Sequence, residues 1–134
     1  MIVVDSSAVI AILNQEPDAP LIARSLAAAS RRLIGAATYL ECTLVIRSKL
    51  GADGIGEFEG LSRRIRIEII PFDEAQMRMA IDANLRYGRG SGHPAQLNFG
   101  DCFAYALARS RNLPLLFKGD DFIHTDVVPA LKPA

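Results

Sequence analysis

Four separated places in this 134-residue chain carry acids that could do chemistry: Asp5, Glu41, Asp101 and the adjacent pair Asp120–Asp121. Asp5 ends the β-branched run Ile2–Val4, a place where a lone aspartate is often only a helix cap. Glu41 lies among Tyr39, Leu40, Cys42, Leu44 and Val45. A carboxylate buried there without a partner costs several kcal/mol, so it must meet a cation or a hydrogen bond. The plainer alternative is a solvent-facing glutamate paired with Arg47 or Lys49. Asp101 stands in the first turn of LNFGDCFAYALA, where the helix dipole favours an acid on structural grounds alone. Asp120 and Asp121 fall in KGDDF, and turns favour aspartate. Each acid therefore has a structural explanation of its own, and the arrangement carries more than any member. Carboxylates gathered within ~4–6 Å raise one another's pKa unless a cation is shared. Oxygen donors without a His or Cys cluster select Mg²⁺ or Mn²⁺ over zinc. Such ions activate water and stabilise charge on a phosphoryl oxygen, which suits phosphodiester hydrolysis.

For the acids to meet, separate elements must deliver them. Ile2–Val4 reads as a central parallel strand, and Ser6 and Ser7 cap the helix after it. Pro17 opens a second helix over Ala19–Ala29. Arg32–Ala36 is a strand, and Thr38 introduces a helix through Lys49 that Gly51 stops. Glu57–Arg64 is amphipathic, and Ile65–Ile70 alternates as a strand ended by Pro71. Asp73 caps a long helix to about Tyr87, and Gly88–Asn98 is the longest loop. Asn98 or Gly100 starts the next helix, Leu115–Phe117 is a strand, and Asp126–Val128 is a candidate last strand. Strands alternating with helices predict an α/β fold, its mostly parallel sheet flanked by helices on both faces. Ligands in such folds bind beyond the carboxyl ends of the strands, where Asp5 and Asp120–Asp121 fall.

The length predicts one domain over residues 1–134, and composition (50% hydrophobic, 22% charged) is globular. No apolar run reaches the ~18 residues that span a bilayer. MIVVDSSAVIAIL lacks a basic leader, so a cytoplasmic location is expected. A formal net charge of +0 counts against broad phosphate binding by charge alone, though not against local grip on RNA. Basic residues cluster at Arg31–Arg32, Arg63–Arg64–Arg66 and Arg86–Arg89, each readable as a solvated face or turn. Cys42 and Cys102 lack metal or redox spacing and read as reduced core residues. The glycines 88, 90 and 92 lack a preceding strand and a lysine–serine pair, so no phosphate loop is expected. His93 reads as a loop residue. The early helices Ala8–Leu13 and Leu21–Ala29 are apolar-rich, either because they cover the sheet or because they offer a partner surface.

The segments IVVDSSAVIAILNQEPDA, ATYLECTLVI, YGRGSGHPAQLNFGDCFAYALA and LPLLFKGDDF, in that order over Ile2 to Phe122, resemble the PIN-domain family. More narrowly, they are similar to its VapC-type toxins. The resemblance implies a PIN-like α/β domain and a Mg²⁺- or Mn²⁺-dependent endoribonuclease. It also implies a homodimer held inactive by a cognate VapB-type antitoxin. It matches Asp5 and Asp101 to metal-ligand acids and Glu41 to the glutamate of a second motif. The fourth acid is Asp121, whose place before Phe122 fits the family's ending, with Asp120 as substitute. Ser7 would support Asp5 through its hydroxyl, and Lys118, Arg47 or Arg89 would position phosphate. A metal-dependent phosphatase with Asp5 as nucleophile competes less well, because Ser7 stands where a second aspartate is wanted. A catalytically inert PIN-like module binding RNA or protein is the competing reading from another class, and the retained acids argue against it. A phospho-receiver arrangement is not evident.

Overall fold

The computed structural model describes residues 1–132. Strand β1 (Ile2–Val4) is followed by helices α1 (Ser6–Leu13) and α2 (Ala19–Ala28). Strand β2 (Arg32–Gly35) leads into helix α3 (Ala36–Arg64), and then come β3 (Glu68–Ile70), α4 (Glu74–Tyr87), α5 (Phe99–Arg111) and β4 (Leu115–Leu116). The sheet runs in the order β3-β2-β1-β4 and every pairing in it is parallel. The α/β architecture with a parallel sheet follows as the alternation of patterns predicts.

Period-two side-chain alternation divides the core into two layers. Val3, Leu33 and Leu115 point toward α4 and α5, whose Ala83, Tyr87, Ala104 and Leu107 complete that layer. Ile2, Val4, Ile34 and Leu116 point the other way, onto Val9, Ile22, Leu26, Cys42, Ile46 and Phe58 of α1, α2 and α3. Helices therefore cover both faces, and the central strand is buried throughout. Strand order reverses between β1 and β4, with β2 and β3 lying to the other side of β1. In open sheets of this kind, ligands bind at such a switch point, beyond the strands' carboxyl ends.

Local departures from the sequence reading have physical causes. α2 begins at Ala19 behind Asp18 rather than at Pro17, and the proline in its first turn is Pro20. α3 is two helical stretches that meet at a kink, where Gly51, at φ 70° and ψ −164°, ends the first as the sequence reading expects. In Ile65–Ile70 only Glu68–Ile70 pairs, because Ile65 closes α3 and Arg66 turns at φ 54°. The expected strand Asp126–Val128 is reduced to an isolated bridge between Leu115 and Pro129. Pro129 has no N–H with which to extend a ladder.

Arg31 pairs with Glu68 across the sheet edge. Arg32 donates to the carbonyls of Leu26, Ala27 and Ala29 at the end of α2 and to that of Ile65. This basic pair is thus fastened into the fold, with a cation where a helix C-terminus favours one. The early helices spend their apolar residues on the sheet, and Leu21 is their exposed large hydrophobic residue. Among the described residues, no helix is long and apolar enough to cross a membrane.

Candidate active site

Asp5 is placed by β1 and capped into α1. Its backbone N–H donates to the Leu116 carbonyl at 2.9 Å, which ties the end of β1 to β4. Its Oδ2 accepts from the Ser7 N–H at 3.0 Å and from the Ser7 hydroxyl at 2.6 Å. The side chain is therefore the cap of α1, a place the sequence reading gave to Ser6 and Ser7, which instead stand inside the helix as its first two residues. Its other oxygen is not used this way. Oδ1 is buried and, among the described residues, has no hydrogen-bond partner. Burial of this 2%-exposed carboxylate raises its pKa against the Ser7 hydrogen bonds, and nearby Asp121 adds to the rise.

Asp101 is also both cap and acid. Asn98 accepts from the Asp101 N–H at 2.8 Å, and Asp101 Oδ2 accepts from the Asn98 N–H at 3.0 Å, a reciprocal capping box at the start of α5. Burial pushes its pKa up to about 7 despite the Asn98 bond, with Asp5 and Asp121 adding to the rise. Glu41, one turn into α3, is half-buried and makes no ion pair with Arg47 or Lys49 among the described residues. Desolvation and the charge of Asp5 raise its pKa, while the Ser6 hydroxyl favours its charged form. Its carboxylate lies where a Cβ on Gly100 would stand, 2.4 Å from Oε2.

Asp121 is exposed, just past β4, and is the neighbour whose charge acts on both Asp5 and Asp101. Asp120 exerts no such effect on either. The fold thus gathers Asp5, Glu41, Asp101 and Asp121 from four elements at one end of the sheet. The Asp101 and Asp121 carboxyl groups come within hydrogen-bonding reach of each other, which adds to the rise at Asp101. Among the described residues, no three acid, His or Cys side chains close around a common point as a finished metal site. The surroundings include the Cys42 thiol, whose pKa burial pushes far up, with Asp5 and Glu41 adding to it.

Other candidates fall elsewhere. His93 is occupied within its loop, where Nδ1 accepts from the Ala95 N–H at 3.1 Å and the ring packs edge-on against Tyr87. Cys42 and Cys102 are free and buried. Lys118, a candidate for phosphate, instead pairs with Glu16 and Asp18. Arg89 is exposed and lines a cavity of about 680 Å³ between α4 and α5. Sequence reasoning took Asn98 or Gly100 as the start of α5, and Asn98 is its cap. It did not find the reciprocal bond with Asp101 or the contacts of Ser6 and Gly100 with Glu41. The N-x-x-D spacing of Asn98 and Asp101 is a readable capping signal. Gly100 has no local signal, because its need for a bare Cα comes from α3.

The PIN domain family model matches residues 2–128. The VapC ribonuclease Mb0625 of Mycobacterium bovis is 48% identical over 129 residues, covering 96% of this chain and 97% of that protein. Ribonuclease VapC30 of Mycobacterium tuberculosis is 40% identical over 131 residues, covering 98% and 99%. Among solved structures, Mycobacterium tuberculosis VapC20, described as a Sarcin-Ricin loop cleaving toxin, superposes with a TM-score of 0.80 at 15% identity. That match covers 99% of this chain and 100% of the other. A toxin–antitoxin complex from Klebsiella pneumoniae gives a TM-score of 0.70 at 15% identity, with the same coverage.

Proposed function

The chain belongs to the PIN domain family, and from that premise we propose that it is a VapC-type toxin. On this reading it works as one domain over residues 1–134, a Mg²⁺- or Mn²⁺-dependent endoribonuclease. The observation that carries the reading is the meeting of Asp5, Glu41, Asp101 and Asp121 at the β1–β4 switch point, with a buried Asp5 oxygen left without a partner. The relatives' ribonuclease names support the reaction class.

The donor set fits a hard divalent ion. All the acids offer oxygen, the buried Asp5 Oδ1 has no other ligand, and neighbouring carboxylates raise one another's pKa. Asp5 and Asp101 would hold the ion directly, and Glu41 and Asp121 would complete the site through water. A bound divalent ion supplies a water of lowered pKa and charge neutralisation on the phosphoryl oxygens. The chain's own residues supply orientation. Ser7 saturates Asp5 Oδ2 and so fixes which oxygen remains available. Asn98 does the same for Asp101 Oδ2. Asp101, pushed up to about 7, retains part of its proton near neutrality until a cation compensates it, so ion uptake there should release protons. Single-stranded or looped RNA is the substrate class, since its bases and backbone are open to an exposed crevice.

A cognate VapB-type antitoxin holds the enzyme inactive in this reading, and the complex among the structural neighbours supports such a partner. A homodimer is part of the same proposal. α4 and the start of α5 expose Met77, Ile81, Leu85 and Phe99, a surface suited to a second copy. A cytoplasmic location accords with an RNA substrate.

Purified chain, free of any partner, is to be incubated with structured RNAs in Mg²⁺, Mn²⁺ or EDTA beside Asp5→Asn. Metal-dependent cleavage that the variant loses by about 100-fold or more is expected, as for loss of a group that holds the reaction's metal. Absence of both cleavage and divalent-ion uptake would favour the inert module. Asp121→Asn is expected to weaken Mn²⁺ binding while Asp120→Asn leaves it unchanged; the reverse result would move the fourth acid to Asp120.

A further inference from the structure

Lys118 is the one basic residue of the three phosphate candidates that the described structure ties down. Its ammonium pairs with Glu16 and lies 3.1 Å from Asp18 Oδ1, an ion pair without hydrogen-bond alignment at that oxygen. The partners lie in the connection between α1 and α2, and all three side chains are partly shielded, at 26–39% exposure. The same residue's backbone N–H donates to the Ser7 hydroxyl at 2.9 Å. That hydroxyl therefore has its lone pair engaged and turns its proton to Asp5 Oδ2, at 2.6 Å. Immediately after Lys118, Gly119 turns with φ 102° and leads to Asp121. One residue thus fastens two things at once: the orientation of Asp5 through Ser7, and the root of the turn that carries Asp121.

We propose that Lys118 is a positioning residue, braced by Glu16 and Asp18, that holds the Gly119–Asp121 turn and the Ser7–Asp5 bond in register for divalent-ion binding, and that it is not a ligand for RNA phosphate. The proposal rests on the nuclease reading for its catalytic consequence and on geometry for the brace. A lysine with two carboxylate partners has its charge compensated before RNA arrives, so it adds little to phosphate attraction. Removing Glu16 and Asp18 frees that charge. A phosphate ligand would then bind RNA as well or better, whereas a brace would lose its anchor. The two roles therefore predict opposite results for the same change.

The test compares wild type, Lys118→Met, Lys118→Arg and the double variant Glu16→Gln with Asp18→Asn, all as full chains. Mn²⁺ affinity is measured by calorimetry with manganese chloride alone, and kcat and KM on an RNA that the wild type cuts. Lys118→Met and the double variant are each expected to weaken Mn²⁺ binding and lower kcat by about 10- to 100-fold, the usual cost of losing an outer-shell support. RNA KM should stay within about twofold and the salt dependence of RNA binding unchanged, where loss of a phosphate contact would reduce that slope. Lys118→Arg should recover most of both losses. A rise in KM for Lys118→Met with Mn²⁺ affinity intact, or wild-type Mn²⁺ affinity in the double variant, overturns the proposal. Should Lys118→Met fail to fold, the double variant decides. If the wild type binds Mn²⁺ but cuts no RNA offered, the nuclease reading falls while Mn²⁺ affinity still decides the brace. A wild-type chain that takes up no Mn²⁺ overturns both.

Discussion

Asp101 holds two assignments that pull against each other. As third residue of α5 it closes a capping box, and as a buried acid beside Asp5 and Asp121 it is held with a pKa of about 7. The consequence for stability follows by linkage. Below the ordinary aspartate range the carboxyl is protonated whether the chain is folded or not, so the site costs nothing. From that range up to about 7 the folded chain retains a proton that the unfolded chain has lost, and stability falls as pH rises. Each unit of displacement corresponds to about 1.4 kcal/mol. Asp101→Asn keeps an oxygen able to accept from the Asn98 N–H and removes the charge. Without divalent ions it is expected to melt higher than wild type at pH 8, by roughly 4 °C for each kcal/mol of relief, and to converge with it near pH 4. Thermal melts across that range check this, and parallel curves for the two proteins would contradict it. Mn²⁺ should stabilise wild type and do little for the variant.

At the scale of elements, the contact between α3 and α5 decides where Glu41 can be. Gly100 lies in the first turn of α5 with ordinary helical backbone, and alanine there would favour the helix by about 1 kcal/mol. Local reasoning therefore predicts a harmless or stabilising substitution. Packing predicts otherwise for activity, because the new Cβ would stand 2.4 Å from Glu41 Oε2. The carboxylate is the free end of a flexible side chain, so it moves at little cost and the fold survives. Gly100→Ala is expected to keep or raise the melting temperature while cleavage falls by about 10-fold or more. A chain that keeps full activity would show that Glu41 tolerates displacement. Asn98→Ala, by contrast, should lower stability by about 1 kcal/mol through loss of the cap, measured by denaturant unfolding.

On the scale of the whole molecule, the notable surface is apolar and reaches the acids at Phe99 and Phe103, which line a second cavity with Glu41. Met77, Ile81 and Leu85 form a stripe at helical spacing on α4, Leu85 is 72% exposed, and Phe99 beside it is 80% exposed. Together with Phe72 and Phe103 they line a cavity of about 680 Å³. Exposed apolar area of this kind is covered by a partner more often than left to water. Under the proposed homodimer, Ile81→Asp and Leu85→Asp should weaken self-association by about 10-fold or more, as loss of an interface anchor does. Sedimentation or light scattering reads the change, and an unaltered mass would place the second copy elsewhere.

The apolar run Ile2–Val4, the capping residues at Asp5 and Asp73, and the alternation of strand and helix patterns were legible as sequence, because hydrophobic periodicity and cap chemistry act over a few residues. So were the four acids as a set, and the resemblance tied them to one family. What the chain order could not tell was which oxygen of each acid is spent on a cap and which is left available. The resemblance favoured Asp121 over Asp120, but only the fold shows that the charge of Asp121 acts on Asp5 and Asp101. Lys118 read as a free cation until folding brought the α1–α2 connection, 102 residues away, against it. Gly100 read as a helix start until α3 laid a carboxylate on it. Local elements follow from local sequence, while charge neighbours, buried orphan atoms and close approaches depend on segments distant in the chain, and only the tertiary structure brings those together.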